Sequence, residues 1–221
     1  SIIACLLRGV LVAPERIVAS HPRAERREEL AATHGIRTTA INPEAAAAAD
    51  IVLLAVKPQM LAKVGRELRS HLKPDQLVIS IIAGPTSAAL VAALRHQRVV
   101  RAMPNTPGQI GAGITAWSPR RVLSNPDRET IEAVLGALGQ QLEVPEAQLD
   151  AVTGLSGSGP AYVFEFAAAL RDAGEAAGLS RETAWRLARE TLLGSARLLT
   201  HGGQEPEALR DQVTSPNGTT F

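Results

Sequence analysis

Residues 1–144 alternate short runs rich in β-branched residues with longer runs rich in alanine. This alternation predicts βαβ units arranged around a parallel sheet. The predicted strands span 16–19, 36–39, 51–56, 77–82, 99–103, 114–117 and 141–144. The predicted helices span 1–12, 23–33, 43–49, 59–71, 86–94 and 127–138. Residues 51–56 are apolar throughout, which is typical of a central strand that is covered on both faces.

From Pro145 onward the β-branched runs disappear and apolar residues recur at helical spacing. Tyr162, Phe166 and Leu170 share one helix face, and the segment 180–200 carries a second apolar face. These aromatic side chains fit a packed core or interface better than a cofactor-binding patch. The predicted fold class is therefore α/β, with a Rossmann-like dinucleotide-binding domain at 1–145 and an all-α domain at 146–221.

The overall charge limits the partners of this chain. Its 221 residues carry 23 basic and 22 acidic side chains, a net charge of +1, which gives no general attraction to nucleic acid or anionic lipid. The apolar stretches are too short to cross a bilayer, so a soluble globular protein with no nucleic-acid or membrane partner is expected. The one cysteine, Cys5, fits a reducing compartment, and we predict a cytoplasmic protein. The five histidines show no metal-binding spacing, so no metal site is predicted.

Polar and cationic residues follow the first predicted strand. A parallel sheet binds its ligand at the carboxyl ends of its strands, and here Ser20 and Arg23 occupy that position. A serine with a nearby arginine suits the 2′-phosphate of a dinucleotide better than a free ribose hydroxyl, so the phosphorylated cofactor is favoured. Arg26 and Arg27 fit this role and fit equally well a surface helix laced with arginine–glutamate pairs.

The next strands also end in residues that can line a ligand. Val56, Lys57 and Pro58 end one strand abruptly, and Lys57 is one of only three lysines in the chain. Ala83 begins a short Gly-Pro turn after the following strand, and Asn105 lies in a proline-rich loop after the one beyond it. The amide of Asn105 offers both a donor and an acceptor. The proline-rich loop is also compatible with a purely rigid turn.

Residues 214–221 read as the opening of a helix. Ser215 occupies an N-cap position, and a proline follows it at the first helical position. Gly218 allows close approach to the backbone, while Thr219 and Thr220 can donate hydrogen bonds to a carboxylate or phosphate. An ordinary capped turn is the alternative. A second segment of the same character, 155–162, favours the anion-binding interpretation.

A glycine-rich phosphate loop of the G-x-G-x-x-G type is not found in the sequence. A dinucleotide fold needs such a loop, so we expect it to precede Ser1, and we expect the chain to be a fragment that continues beyond Phe221. The sequence also lacks a G-x-S-x-G elbow, which argues against a serine hydrolase.

Four motifs resemble, in order, those of the pyrroline-5-carboxylate reductase family. They are Ala55-Val56-Lys57-Pro58, Met103-Pro104-Asn105-Thr106-Pro107, the segment 150–162 and the segment 214–220. The resemblance covers the chain from end to end. It implies a Rossmann domain followed by an all-α dimerisation domain, and a homodimer or higher homo-oligomer.

The resemblance also implies an activity and its site. The activity is reduction of 1-pyrroline-5-carboxylate to L-proline by NADPH, with NADH possible as the donor. The positions implied to bind the cofactor are Ser20, Arg23, Asn42, Val56, Lys57, Pro58, Ala83 and Asn105. The positions implied to bind the substrate carboxylate are Ser215, Gly218, Thr219 and Thr220, of which Thr220 and Ser215 are the predicted catalytic residues.

Two positions depart from the family pattern. Asn217 stands where glycine is usual, which is tolerable because asparagine adopts left-handed conformations readily. Glu165 stands where relatives carry a small or apolar residue, and we interpret it as a surface acid near Arg171 rather than a proton donor. Two alternative functions remain open: another β-hydroxyacid-dehydrogenase-like reductase, and an inactive fragment. The first is disfavoured because all three lysines precede residue 74, which leaves the helical half without a lysine acid.

Overall fold

The computed structural model describes residues 2–214, and the chain divides into two compact units, Ser1–Pro160 and Ala161–Phe221. The predicted anion-binding segment from Ser215 to Thr220 lies outside the described residues. The limits expected from the sequence for the two domains, 1–145 and 146–221, stay a prediction. Within residues 2–214, no helix is both long enough and apolar enough to cross a membrane.

Seven strands form two sheets in the described residues of the first unit. The strands are β1 (Val18–Ser20), β2 (Arg37–Thr39), β3 (Ile51–Leu54), β4 (Leu77–Ser80), β5 (Val99–Met103), β6 (Gly113–Pro119) and β7 (Gly139–Glu143). Strands β1 and β2 pair in parallel, while β3 to β7 form a five-stranded sheet in sequence order. In the larger sheet all neighbours are parallel except β5 and β6.

Ten α-helices accompany these strands in the described part of the chain. They are α1 (Ile2–Arg8), α2 (Ala24–His34), α3 (Asn42–Ala47), α4 (Leu61–Leu68), α5 (Ser87–Leu94), α6 (Asn125–Gly136), α7 (Leu149–Val152), α8 (Gly159–Ala176), α9 (Arg181–His201) and α10 (Pro206–Val213). The alternation of strand and helix predicted from the sequence is confirmed through β7. Helices α7 and α10, and the short 3-10 turns, were not predicted.

Strand β6 runs antiparallel to β5, whereas the sequence pattern predicted a parallel arrangement. The connection between them holds only a short 3-10 turn, Thr106–Ile110. A parallel return needs a crossover of a dozen or more residues, usually a helix, and this connection is too short to supply one. Strand β7 runs parallel to β6, because α6 provides such a crossover between them, and both strands run opposite to β3, β4 and β5.

The apolar segment 51–56 forms the edge of the larger sheet within the described residues, not its centre. Strand β3 ends at Leu54, and its residues alternate between partly and fully buried. The fully buried strand is β4, in which all four residues are covered. Strand β3 is apolar throughout because its side chains pack on both faces of the sheet. Val52 packs with one core cluster and Leu53 with the other.

Two apolar clusters cover the two faces of the larger sheet. One joins β3 and β4 to α4 and α5 through residues such as Val78, Leu90 and Leu94, all of which are inaccessible to solvent. The other packs β4 and β5 against β6 and α6, where Trp117 and Ile131 are inaccessible as well. With both faces covered by helices, ligands can reach this sheet only along its edges and strand ends.

Helices α8 and α9 pack against each other through small residues in the second unit. Ala167, Ala184 and Ala188 are the residues buried in these two helices. Gly174 lies so close to Ala184 that an added Cβ would come within 2.9 Å of the alanine methyl. The aromatic face predicted to pack in a core or interface is not covered within one chain, since Tyr162 is 61% exposed and Phe166 is 56% exposed, so packing in an interface stays a prediction.

We predict that Gly65→Ala destabilises the first unit. A Cβ at Gly65 in α4 would lie 2.8 Å from the carbonyl oxygen of Ala93 in α5, a contact that real Cβ atoms do not make. Separating the two helices to relieve it costs about 1–3 kcal/mol of unfolding free energy, as overpacking generally does.

The matched control is Gly136→Ala in α6, where an added Cβ meets open space. This change is expected to be neutral or stabilising by up to about 1 kcal/mol, because alanine is the better helix former. Denaturant unfolding of both variants measures the difference. Equal stability of the two variants would contradict the close α4–α5 approach.

Candidate functional site at the carboxyl ends of the strands

The parallel strands of both sheets end in loops that carry most of the predicted cofactor residues. Ser20 ends β1 and is paired in register with Thr39, which ends β2. Leu54 at the end of β3 is likewise paired with Ser80 at the end of β4. Because neighbouring parallel strands end at the same edge, the loops that follow each pair lie side by side.

Ser20 and Asn42 are brought into direct contact. The Ser20 hydroxyl donates to Oδ1 of Asn42 over 2.7 Å, and Asn42 is the first residue of α3. The side-chain nitrogen of Asn42 donates in turn to Oε2 of Glu67 in α4 over 2.7 Å. Glu67 was not singled out in the sequence, since a glutamate inside an amphipathic helix carries no motif that distinguishes it from a solvated residue.

The three arginines that follow β1 have different roles. Arg26 pairs with Glu29 over 2.6 Å along α2, and this ion pair lowers the pKa of Glu29 through a hydrogen bond and the nearby positive charge. Arg27 donates to the carbonyl oxygens of His21 and Pro22, which fixes the turn after β1. The Arg23 side chain is exposed, and within residues 2–214 its guanidinium makes no hydrogen bond or salt bridge. Arg23 is therefore the arginine best placed to meet an anionic ligand.

The residues after β3 and β4 lie in exposed loops. Lys57 precedes a 3-10 turn, Pro58–Met60, and its carbonyl oxygen accepts from the amide of Met60 over 2.8 Å. Its side chain is exposed, as are Pro58 and Ala83, while Val56 is partly buried. The sequence placed Lys57 at the tip of a strand, but β3 ends three residues earlier, so the lysine belongs to the loop.

Asn105 is held in one orientation after β5. Its Oδ1 accepts from the amide of Ile114 over 3.0 Å, which leaves its side-chain nitrogen 3.5 Å from the hydroxyl of Ser156. Gly113 makes this contact possible, because a Cβ there would lie 2.8 Å from Oδ1 of Asn105. Asn105 thus joins the loop after β5 to the motif 150–162, two segments singled out separately in the sequence.

The motif 150–162 does not form the open helix start expected from its sequence. Its first residues end α7, and Thr153–Gly157 form a π-helical turn that leads almost directly into α8. The amide of Ser158 donates to the carbonyl oxygen of Thr153 over 2.9 Å, so this amide is already used within the chain. π-Helical turns of this kind occur frequently at functional sites. Here the turn presents Ser156 to Asn105.

Two further groups support these loops and were missed in the sequence. Arg8 of α1 donates to the carbonyl oxygen of Gln109 over 2.8 Å, which holds the turn that follows Asn105. Glu146 accepts from the amide and hydroxyl of Ser87 over 2.6 and 2.5 Å, and from Arg101 over 2.9 Å. Ser87 begins α5 directly after the loop that contains Ala83, so Glu146 fixes the start of the helix behind that loop.

The donor set at this edge fits a dinucleotide. Hydroxyl and amide groups at Ser20, Asn42 and Asn105 suit ribose hydroxyls and a carboxamide, and Arg23 and Lys57 supply positive charge for phosphates. Within residues 2–214, no group of three or more histidine, cysteine, aspartate or glutamate side chains is close enough to hold a metal ion. The fold and this edge together define the class of dinucleotide-binding proteins with a helical second unit.

Comparisons with known proteins narrow this class. A family model described as pyrroline-5-carboxylate reductase dimerisation matches residues 146–221, and one described as NADP oxidoreductase coenzyme F420-dependent matches residues 1–84. A pyrroline-5-carboxylate reductase of Pseudomonas aeruginosa is 46% identical over 97% of this chain and 79% of its own length. The chain belongs to the pyrroline-5-carboxylate reductase family.

Solved structures agree with this assignment. A pyrroline-5-carboxylate reductase from Coxiella burnetii is 36% identical and superposes with a TM-score of 0.89, over 99% of this chain and 82% of its own. The pyrroline carboxylate reductase of Plasmodium falciparum, solved with NADP bound, is 28% identical with a TM-score of 0.89, over 99% of this chain and 81% of its own.

We predict that Glu146 makes the stability of the first unit depend on pH. Burial raises the pKa of Glu146, but hydrogen bonds from the Ser87 hydroxyl and amide and from Arg101 together lower it below its ordinary value of 4.5. Because the folded carboxyl has the lower pKa, its ionised form stabilises the fold above pH 4.5. That contribution is lost as the pH falls through the folded value.

Glu146→Gln is expected to lower the unfolding free energy at neutral pH by about 1–3 kcal/mol, the usual size for hydrogen bonds to a charged group. The difference between wild type and variant shrinks in acid, where both carry a neutral side chain at this position. Glu129→Gln on the exposed side of α6 is the control. Denaturant unfolding between neutral pH and pH 3 measures both, and a difference that does not change with pH would contradict the role of the charge.

Proposed function

We propose that this protein is a pyrroline-5-carboxylate reductase, which reduces 1-pyrroline-5-carboxylate to L-proline with NADPH. The observation that carries the proposal is that proteins of this name match nearly the whole chain at up to 46% identity. The carboxyl ends of the strands supply a donor set suited to a dinucleotide, which supports the same conclusion. We place the reaction in the cytoplasm, which agrees with a chain that has a single cysteine.

The cofactor side of the site uses the strand-end residues. We propose that Ser20 and Asn42 lie against the adenosine ribose and that Arg23 meets its 2′-phosphate, because Arg23 offers an exposed guanidinium beside the two neutral groups. Val56, Lys57, Pro58, Ala83 and Asn105 line the remaining length of the cofactor, and Asn105 approaches its nicotinamide end. When bound, the reduced nicotinamide supplies the hydride that this reaction requires.

The substrate side uses residues that lie outside the described range. We propose that Ser215, Gly218, Thr219 and Thr220 bind the substrate carboxylate through backbone amides and hydroxyls at a helix start. Ser215 and Thr220 act as the catalytic residues in the sense that they touch the substrate and orient it. The ring nitrogen keeps its proton while the imine carbon accepts the hydride, so the electron pair of the C=N bond ends on nitrogen and gives the amine of proline.

The second unit is proposed to join two copies of this chain, as a homodimer or a larger assembly. The dimerisation family model begins at residue 146, which supports the domain limits 1–145 and 146–221. Helix α8 exposes Tyr162, Phe164 and Phe166 at 61, 62 and 56%. Tyr162 and Phe166 lie one turn apart on one helix face, and exposed aromatic side chains that cluster in this way are typical of surfaces that another protein covers.

The first test of this function is a substrate comparison with Thr220→Val. We expect kcat/KM for 1-pyrroline-5-carboxylate, followed by NADPH absorbance, to fall about 10- to 100-fold, the loss of one hydrogen bond to a charged group. Turnover of 1-pyrroline, which lacks the carboxylate, is expected to stay unchanged. Thr33→Val, on the exposed side of α2, is the control.

The assay uses residues 1–221 and a version extended at both ends to the length of the relatives. Formation of L-proline, identified by chromatography, is the positive result. The carboxylate role would be contradicted by an equal loss with both substrates. The activity itself would be contradicted if the extended protein did not oxidise NADPH with 1-pyrroline-5-carboxylate.

A second test concerns Glu165, which we propose is a surface acid rather than a proton donor. Glu165 is exposed on α8, and the partners of Arg171 in the described residues are Asp172 and Glu175 instead. Glu165→Gln is therefore expected to change kcat by no more than about twofold, as exposed substitutions generally do. A large loss of kcat at unchanged KM would show that Glu165 delivers a proton.

A further inference from the structure

A directed chain of hydrogen bonds stands behind the end of β1. The Ser20 hydroxyl donates to Oδ1 of Asn42, and the side-chain nitrogen of Asn42 donates to the carboxylate of Glu67, each over 2.7 Å. All three residues are partly buried. These two hydrogen bonds link the last residue of β1 to the first residue of α3 and then to α4, so they connect three elements that meet at the carboxyl edge.

The carboxylate of Glu67 fixes the direction of the whole chain. An ionised carboxylate can only accept hydrogen bonds, so the side of Asn42 that faces Glu67 must be its nitrogen. The oxygen of Asn42 then faces Ser20, and it too can only accept. The Ser20 hydroxyl must therefore give its one proton to Asn42, and the oxygen of Ser20 is left with lone pairs alone.

The neighbouring hydroxyl of Thr39, at the end of β2, also donates to an acceptor within the protein. Thr39 pairs in register with Ser20, and its hydroxyl donates to Oε2 of Glu44 over 2.5 Å. The hydroxyl oxygen of Thr39 in turn accepts from the amide of Ile41 over 3.1 Å. The hydroxyls of Ser20 and Thr39 thus both donate their hydrogen bonds to acceptors inside the protein.

This arrangement distinguishes two ligand groups by their chemistry. A ribose 2′-hydroxyl carries a proton and can donate it to the Ser20 oxygen. A 2′-phosphate dianion offers only acceptor oxygens, which gain nothing from a lone pair and are repelled by it. Recognition of a phosphate at this place then depends on the exposed guanidinium of Arg23, not on Ser20.

We propose that Glu67 is a positioning residue that sets the preference between phosphorylated and unphosphorylated dinucleotide, by forcing the Ser20 hydroxyl to act as an acceptor. This inference rests on the proposed function, since it requires that a dinucleotide lie against Ser20. Glu67 does not touch the reacting atoms. Its effect on the reaction passes through Asn42 and Ser20 to the ribose of the cofactor.

Glu67→Gln tests the proposal because it keeps the size of the side chain and removes the constraint. A glutamine can turn its amide nitrogen toward Asn42, which lets the Asn42 amide reverse and donate to Ser20. The Ser20 hydroxyl is then released to donate to a phosphate oxygen. We expect the ratio of the NADPH to the NADH dissociation constant, measured by calorimetry, to fall about tenfold, the effect of one hydrogen bond exchanged.

Four further measurements separate this role from a structural or simply electrostatic one. The adenosine fragments 2′,5′-bisphosphate and 5′-monophosphate should show the same shift in affinity, and kcat at saturating cofactor should stay unchanged. Ser20→Ala alone should weaken NADH more than NADPH. In the Ser20→Ala background, Glu67→Gln should no longer alter the ratio, because the path through the hydroxyl is gone. Glu129→Gln and thermal unfolding are the controls for charge and folding.

Each outcome decides the question. A tenfold shift that disappears without Ser20 supports the proposal. A shift that persists without Ser20 means that the charge of Glu67 acts directly on the phosphate, and it overturns the proposal. An unchanged ratio with both cofactors still bound overturns it as well. If the wild-type protein extended to the length of its relatives binds neither dinucleotide, the proposed function itself fails and this inference fails with it.

Discussion

The parallel pairing of strands whose carboxyl ends coincide is the constraint on which the rest of this structure depends. Leu54 lies opposite Ser80, and Ser20 lies opposite Thr39, so each loop after a strand begins where its neighbour begins. Both faces of the larger sheet are closed by apolar clusters. Polar residues in these loops that are separated by tens of positions in the chain, such as Ser20 and Asn42, therefore meet along that edge. The residues proposed to bind the cofactor collect there because apolar packing closes both faces of the larger sheet to a ligand.

Most of the fold could be predicted from the sequence, because the spacing of apolar residues differs between strands and helices. The runs 77–82 and 99–103 predicted two strands, and these became the buried centre of the sheet. Local turn chemistry was also informative, since proline-containing segments after the strands coincide with the ends of β3, β4 and β5. The direction of β6 could not be derived from composition, because it depends on whether the connection from β5 is long enough to form a crossover.

The site was only partly readable from residue types. Ser20 and Asn105 were found through their place after strands and Asn42 through the family resemblance alone, and the structure adds the contacts that orient them. Glu67 and Glu146 escaped notice because their roles arise from neighbours 25 and 59 residues away. The π-helical turn at Thr153–Gly157 was likewise hidden, since its glycines and serines suit an open loop equally well. Long-range partners decide these cases, and no local pattern encodes them.

The small-residue seam between α8 and α9 has a thermodynamic consequence for the second unit. Alanines and a glycine bring the two helices close but bury little apolar surface, while aromatic rings on the same helices stay in water. A lone copy of this unit thus has few apolar contacts to offset the entropy lost on folding. In the proposed homo-oligomer, a second copy that covers those rings adds stability that an isolated chain lacks, so the stability of this half depends on protein concentration by mass action. Dilution of that assembly then weakens this half of the molecule, and protein abundance in the cell becomes one of the variables that keep it folded.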